Sequence, residues 1–236
     1  TLWGDEFPKA SPANVPPFLC AVVRGAFSSI RGGRWDAIDA WAVPSTCDSI
    51  QNSFEVLKAG GESRPMFPLV FPLSGELPGA SEYLLDRIEA FVEWAGTVSG
   101  RTVTEGALDK AVVAYNENRR MFSMIEERMA ETPGILTAAE FLDLARAGSL
   151  LPKETHSEIL RAVLERDAPR GKTPRSRVFL TGMMATGDVA SALDGAGAAV
   201  VGNDLGRGRR YYEGTAAETG DAPLALVRRH LSRGPC

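Results

Sequence analysis

Apolar positions along this chain repeat with two different periods. Short continuous apolar runs predict strands: "DAIDAWAVP" (36–44), "RPMFPLVFPL" (64–73), "RVFLTG" (177–182) and "AAVVGND" (198–204). Helical spacing fills the intervals. Ile50, Phe54 and Leu57 in "SIQNSFEVLK" share one face between the first two runs, so strand, helix and strand predict a parallel βαβ unit. "AVVRGAFSSI" predicts a helix before them, and "GDVASALDGAG" one between the last two runs. A helical block stands in the middle of the chain. Tyr83, Leu84, Ile88, Phe91, Val92 and Ala95 form one stripe; Leu108, Val112, Tyr115, Met121, Ile125 and Met129 form the next. Thr137 with Glu140 three residues on is a capping-box pattern, opening a helix that closes at Gly148. "HSEILRAVLERDA" and "DAPLALVRRHL" predict two more helices, and the Pro/Gly-rich basic stretch 168–176 reads as a linker. The expected fold is therefore α/β: two doubly wound (Rossmann- or flavodoxin-like) pieces, 1–76 and 173–236, with a helical segment, 77–172, between them.

Composition narrows the functional classes. With 236 residues the chain can bury a sizeable core. Lys and Arg number 26 against 30 Asp and Glu, a net charge of −4, which argues against a nucleic-acid surface. No apolar run is long enough for a membrane helix, and no basic region followed by an apolar stretch opens the chain, so neither a membrane span nor a signal peptide is expected. Three cysteines cannot all pair, and a chain of this size needs no disulfide staple; a reduced, cytoplasmic protein is expected.

The cysteines occupy comparable places. Cys47 lies just past a predicted strand where a helix begins, Cys20 precedes a predicted helix, and Cys236 follows the last one. In open α/β sheets ligands collect at the carboxyl ends of strands, and helix starts favour anions such as a thiolate. Small core filler is the commoner role of a free cysteine. The spacing contains no C-x-x-C, and only His156 and His230, both in amphipathic stretches where a solvated imidazole is expected, could add a fourth zinc ligand. Three thiolates would leave one iron of an iron–sulfur cluster open to another ligand.

Several stretches resemble the 2-hydroxyacyl-CoA dehydratase / benzoyl-CoA reductase family, in its iron–sulfur cluster-carrying subunits. "PPFLCAVVRG" is similar to the family's first cluster cysteine with an arginine four residues on (Cys20, Arg24), and "VPSTCDS" to its second, a cysteine–aspartate pair after a strand. The stretch 66–125, with its "YNENRR" helix containing Asn116, Asn118 and Arg119, is the most specific part. "RVFLTG…GAAVVGNDLGRGRRYY" resembles the family's second α/β domain, and "GPC" its third cluster cysteine. The family's subunits are longer at both ends, so the resemblance implies a chain truncated at both.

That resemblance implies a 4Fe-4S cluster on Cys20, Cys47 and Cys236, in one subunit of a heterodimer with a homologous second subunit. It implies an ATP-dependent iron–sulfur activator that delivers one low-potential electron, and an anaerobic ketyl-radical removal of water from an (R)-2-hydroxyacyl-CoA. A benzoyl-CoA reductase-type or double-cubane ATP-dependent reductase, or a truncated relative acting as a binding module without a cluster, are the alternatives. Arg24, Ser45 and Asp48 are candidates for hydrogen bonds to cluster sulfur; Ser45 and Asp48 serve equally well as caps of the helix near Cys47. Gly182 and Gly187, in a strand-to-helix turn, and Arg207 and Arg209, in a basic loop, are candidate contacts to CoA phosphates. Asp204 stands where a ribose-binding acid would, but G-x-G-x-x-G is absent, and "GKT" (171–173) lacks the upstream glycine of a P-loop.

Overall fold

In the computed structural model, residues 15–169 and 173–233 are described, the side chain of Phe54 excepted. The chain is mixed α/β and resolves into two compact units. Among the described residues one comprises 15–108 with 221–233, the other 109–220.

In the first unit, helix α1 (Ala21–Arg31) precedes strand β1 (Trp41–Pro44), helix α2 (Asp48–Ala59) and strand β2 (Met66–Leu69). β1 and β2 pair in parallel, Trp41 opposite Met66 and Pro44 opposite Leu69, with α2 as the crossover. That is the expected βαβ unit. An apolar cluster of Val15, Val23, Phe27 and Leu57, with Leu19, Ile30, Ile50, Val56 and Met66 around it, joins α1 to α2 and the sheet. Helix α3 (Ala80–Ser99) packs on the C-terminal helix α9 (Ala222–Leu231) and on β2, where Phe67 meets Phe91 and Trp94 at ring-centroid distances of 5.5 and 5.4 Å. Just before β2, Arg64 donates from Nη1 to the carbonyls of Trp35 and Ile38, lies 4.7 Å from the Trp41 ring, and pairs with Glu62. That pairing holds the Glu62 carboxyl down at about 2.

The second unit begins within the first turns of helix α4 (Glu105–Glu131). Helices α5 (Ala138–Leu150) and α6 (Lys153–Leu164) follow, then strand β3 (Ser176–Gly182), helix α7 (Gly187–Ala196), strand β4 (Ala198–Leu205) and the single turn α8 (Arg209–Tyr212). β3 and β4 are parallel with α7 between them; the register slips after Val178, so that Phe179 faces Gly202. The core, around Phe122, Ile125, Met129, Phe141, Leu160 and Tyr212, lies among α4, α5, α6 and β4. The Thr137–Glu140 capping box forms, and Asp194 of α7 adds a second cap by accepting from Ala138 and Ala139 N–H at 2.7 and 3.1 Å.

Four expectations are corrected. Helix α5 runs two residues beyond Gly148, which sits inside it because a Cβ there would lie 1.8 Å from Tyr212 Oη. His156 is fully buried rather than solvated: its Nε2 meets the Leu144 carbonyl at 3.0 Å and its Nδ1 meets Asn118. Tyr115, placed on the apolar stripe, is 41% exposed, because Tyr115 and the buried Asn116 stand side by side and only one can face inward. The "GRGRRYY" stretch is a turn closed by α8 rather than an open loop, with Tyr212 buried and stacked on Phe122 at 3.7 Å.

Candidate functional site

Cys20 and Cys47 each occupy the N-cap of a helix, Cys20 before α1 and Cys47 before α2. Neither helix start has a side-chain cap, and both thiols are exposed. Unpaired first-turn N–H groups at such positions face whatever occupies the cap, and they favour an anion. The two helices are 11 and 12 residues long and share one apolar cluster. The Arg31 side chain, from the last residue of α1, reaches the residue after α2, where a Cβ on Gly60 would lie 3.9 Å from its Nη2. Cys47 stands at the carboxyl end of β1, three residues past Pro44.

That edge is tied down by Ser45. Its N–H donates to the Leu69 carbonyl at 2.9 Å, and its Oγ accepts from Phe71 N–H at 3.0 Å. The hydroxyl thus closes the ends of β1 and β2 and caps no helix. Asp48 is exposed in the first turn of α2, where a carboxylate suits the helix dipole, and makes no capping bond. Arg24 lies one turn beyond Cys20; its N–H donates to the Cys20 carbonyl at 3.1 Å, while its Nε is buried without a hydrogen-bond partner. Exposed thiols are soft donors, and a buried orphan N–H on the helix that Cys20 caps suits a sulfur-rich group better than a hard cation. Among the described residues no three of His, Cys, Asp and Glu gather as a metal-holding group. Cys236 lies outside the described residues.

Gly182, Gly187, Arg207 and Arg209 gather at the carboxyl edge of β3 and β4. Gly182 ends β3 with φ +131°, a conformation that side chains rarely adopt, and its carbonyl accepts from Gly206 N–H at 3.2 Å. Gly187 opens α7, whose N-cap Thr186 makes no side-chain cap. Arg209 N–H donates to Asn203 Oδ1 at 2.9 Å, and its Nε stands 3.8 Å from Glu213. Asp204 is engaged by Arg210 through two bonds of 2.7 and 2.6 Å, which holds its carboxyl below the usual range. That carboxylate is therefore committed to an internal fork and does not present itself to a ribose.

Sequence reasoning missed a buried polar network in the second unit. Asn118 donates to Ser157 Oγ at 2.9 Å and to His156 Nδ1 at 3.0 Å. Because the Leu144 carbonyl can only accept, His156 carries its proton on Nε2 and stays neutral; burial, then the nearby Lys153 charge, lowers it to about 4. Lys153 is 6% exposed, and its Nζ donates to the Gly148 carbonyl among the rings of Tyr115, Tyr211 and Tyr212 at 4.9, 5.0 and 5.8 Å. Burial, then Arg119, lowers it to about 8. Asn116 clasps Ala216 from both sides, donating to its carbonyl at 2.7 Å and accepting from its N–H at 3.0 Å. Asn203 donates to Glu126, whose carboxyl burial raises to about 7. The two asparagines of "YNENRR", set among the apolar positions of a long amphipathic helix, were the available signal.

Comparison with known proteins follows this geometry. Similarity to the (R)-phenyllactyl-CoA dehydratase beta subunit of Clostridium sporogenes is 23% identity over 242 residues, covering 100% of this chain and 64% of that protein. The C subunit of benzoyl-CoA reductase from Thauera aromatica is 27% identical over 153 residues, 62% of this chain and 38% of that one. The beta subunit of lactoyl-CoA dehydratase from Anaerotignum propionicum is 21% identical over 187 residues, 78% and 49%. The chain thus spans less than two thirds of the length of each of these relatives. The family model described as 2-hydroxyglutaryl-CoA dehydratase, D-component, matches residues 3–236, and the chain belongs to that family.

Proposed function

We propose that this chain is the cluster-bearing part of a subunit of a 2-hydroxyacyl-CoA dehydratase, removing water from an (R)-2-hydroxyacyl-CoA. The observation that carries the reading is the pair of exposed thiols, Cys20 and Cys47, each at the N-cap of a helix, the two helices sharing one apolar cluster. Cys20 and Cys47 would hold a 4Fe-4S cluster together with Cys236, and the unpartnered Nε of Arg24 would be a donor for its sulfur. When bound, such a cluster supplies an exchangeable iron that acts as a Lewis acid on a thioester carbonyl and passes single electrons. The chain's own part is to fix the thiolates: Ser45 locks the strand ends, and the apolar cluster packs α1 against α2. Gly182, Gly187, Arg207 and Arg209 form the edge of β3 and β4 that suits CoA phosphates. Each βαβ pair is the minimal unit of a doubly wound piece.

Relatives named as beta or C subunits support a partner subunit. An ATP-dependent activator that feeds the electron belongs to the same reading, as does a cytoplasmic site; no helix among the described residues is long and apolar enough to cross a membrane. The 27% identity with one benzoyl-CoA reductase chain favours reductive use of the same electron as the second reading. Anaerobic reconstitution with iron and sulfide tests the proposal. Iron and sulfide should bind with visible charge-transfer absorbance, be lost in Cys20→Ser and Cys47→Ser, and fall in Cys236→Ser. Iron undiminished in all three variants refutes it, and no iron in the unmutated chain favours the binding module.

A further inference from the structure

The turn between β4 and α8 is built around one side chain. Asn203 is buried, and its Oδ1 accepts from Leu205 N–H at 3.1 Å and from Arg209 N–H at 2.9 Å. Gly208 lies so close to that oxygen that no Cβ fits there. The other end of the amide faces α4, where Nδ2 donates to the Glu126 carboxyl. Glu126 thus fixes which way Asn203 points, and Asn203 fixes the turn that carries Arg207 and Arg209. Where the turn leaves β4, Gly206 N–H is tied to the Gly182 carbonyl at the end of β3.

The groups around Glu126 decide how it responds to charge. From the turn and α8, Arg209 attracts a carboxylate there, and Glu213, 3.8 Å from Arg209 Nε, repels it. Tyr212, on the same side, is held neutral by burial. On α4 itself, Phe122, Ser123, Met129 and Ala130 occupy the adjoining turns and bring no charge. Glu127 is exposed, and Arg128 is drawn off to the Leu164 and Arg166 carbonyls. Burial outweighs the Asn203 bond and the Arg209 charge, and raises the Glu126 carboxyl to about 7. Once ionised, the carboxylate is better solvated than held. Its departure leaves the buried Asn203 amide with an unmet donor, and Asn203 recovers a partner by turning out after it, which withdraws Oδ1 from Leu205 and Arg209 N–H. We propose that Glu126 is a proton-operated latch on the β4–α8 turn: neutral, it keeps the turn closed with Arg207 and Arg209 in place; ionised, it lets the turn open. The latch belongs to the turn and holds whether or not this edge receives CoA phosphates.

Hydrogen exchange read by mass spectrometry on the full chain, at about pH 5.5 and about pH 7.5, tests it. A carboxyl that titrates at 4.5 when released and at about 7 when held makes opening more frequent by about tenfold over that interval, once partial solvent screening is discounted. Protection factors, which remove the intrinsic pH dependence of exchange, should therefore fall about tenfold in peptides covering 203–212, while those of α5 and α6 stay level. Glu126→Gln keeps an acceptor for Asn203 and cannot ionise, so it should abolish the fall. Glu213→Gln, a change at an exposed residue, removes the repulsion and should move the fall to lower pH; it keeps the test decisive if the Glu126→Gln chain does not fold. A fall that is absent, that persists in Glu126→Gln, that stays in place in Glu213→Gln, or that α5 and α6 share equally overturns the latch.

Discussion

Among the described residues no carboxylate pairs with the buried Lys153 ammonium, and its burial makes stability depend on pH. Three tyrosine rings and the Gly148 carbonyl favour the ammonium, while burial and the Arg119 charge oppose it. Burial wins, because ring faces and one carbonyl replace only part of an ammonium's hydration. The folded-state value is about 8 against 10.5 for an unperturbed lysine. Between those values the unfolded chain holds more protons than the folded one, so stability must rise with pH there; below about 8 the full penalty applies. Linkage gives a gain of at most about 2 kcal/mol between about pH 7.5 and about pH 9.5, reduced by residual solvent screening. Tyr212 acts in the opposite sense only above about pH 10, where unfolded tyrosines ionise. Urea unfolding of the wild type and of Lys153→Met at both pH values isolates the term. All four tryptophans precede residue 95, so the second unit is followed by far-ultraviolet circular dichroism rather than by tryptophan fluorescence. The wild type should gain stability relative to Lys153→Met as the pH rises. Parallel pH dependences in the two proteins, or a relative loss in the wild type, would refute the argument that burial outweighs the aromatic cage.

Other expectations test the same unit. Asn118→Leu leaves His156 Nδ1 and Ser157 with unmet hydrogen bonds and should cost about 2–3 kcal/mol in urea unfolding. Tyr212→Phe removes a buried hydroxyl that has no partner and should leave stability unchanged or raised, whereas Gly148→Ala forces a Cβ toward that hydroxyl and should destabilise less in the Tyr212→Phe background, measured as a double-mutant cycle. Glu126 is raised from 4.5 to about 7, so it favours the fold below about pH 4.5 and this contribution is lost as pH rises through about 7; Glu126→Gln should flatten that fall in melting experiments between about pH 5 and about pH 8.

Strands and helices were legible because each carries its own period. Among the described residues the runs 36–44 and 64–73 contain β1 and β2, and the runs 177–182 and 198–204 match β3 and β4 to within one residue; the crossover helices follow from Ile50 to Leu57 and from Gly187 to Gly197. The corner positions of Cys20 and Cys47 were equally legible, since strand end and helix start are local features. What could not be read was any position whose environment is supplied by a distant segment. Gly148 looks like a helix terminator in sequence, and only the arrival of Tyr212, 64 positions later, makes it a contact glycine within a longer helix. His156 looks solvated until Asn118 and the Leu144 carbonyl enclose it. Asp204 sits where a ribose acid would, until Arg210 closes on it from the turn of α8. The polar residues of "YNENRR" behave alike: Asn116 reaches Ala216, a hundred positions on, and Asn118 reaches α6, so what reads locally as the solvated face of a helix is the seam by which α4 fixes two later segments. Polar side chains at buried seams specify one arrangement because each alternative strands a donor or acceptor. In the first unit the same logic holds at Ser45, whose hydroxyl fixes the loop that carries Leu73 instead of capping the helix that follows it. The end of β1 that leads to Cys47 is therefore set by strand pairing and by one hydroxyl at its rim, which leaves the exposed thiol itself without a structural duty of its own.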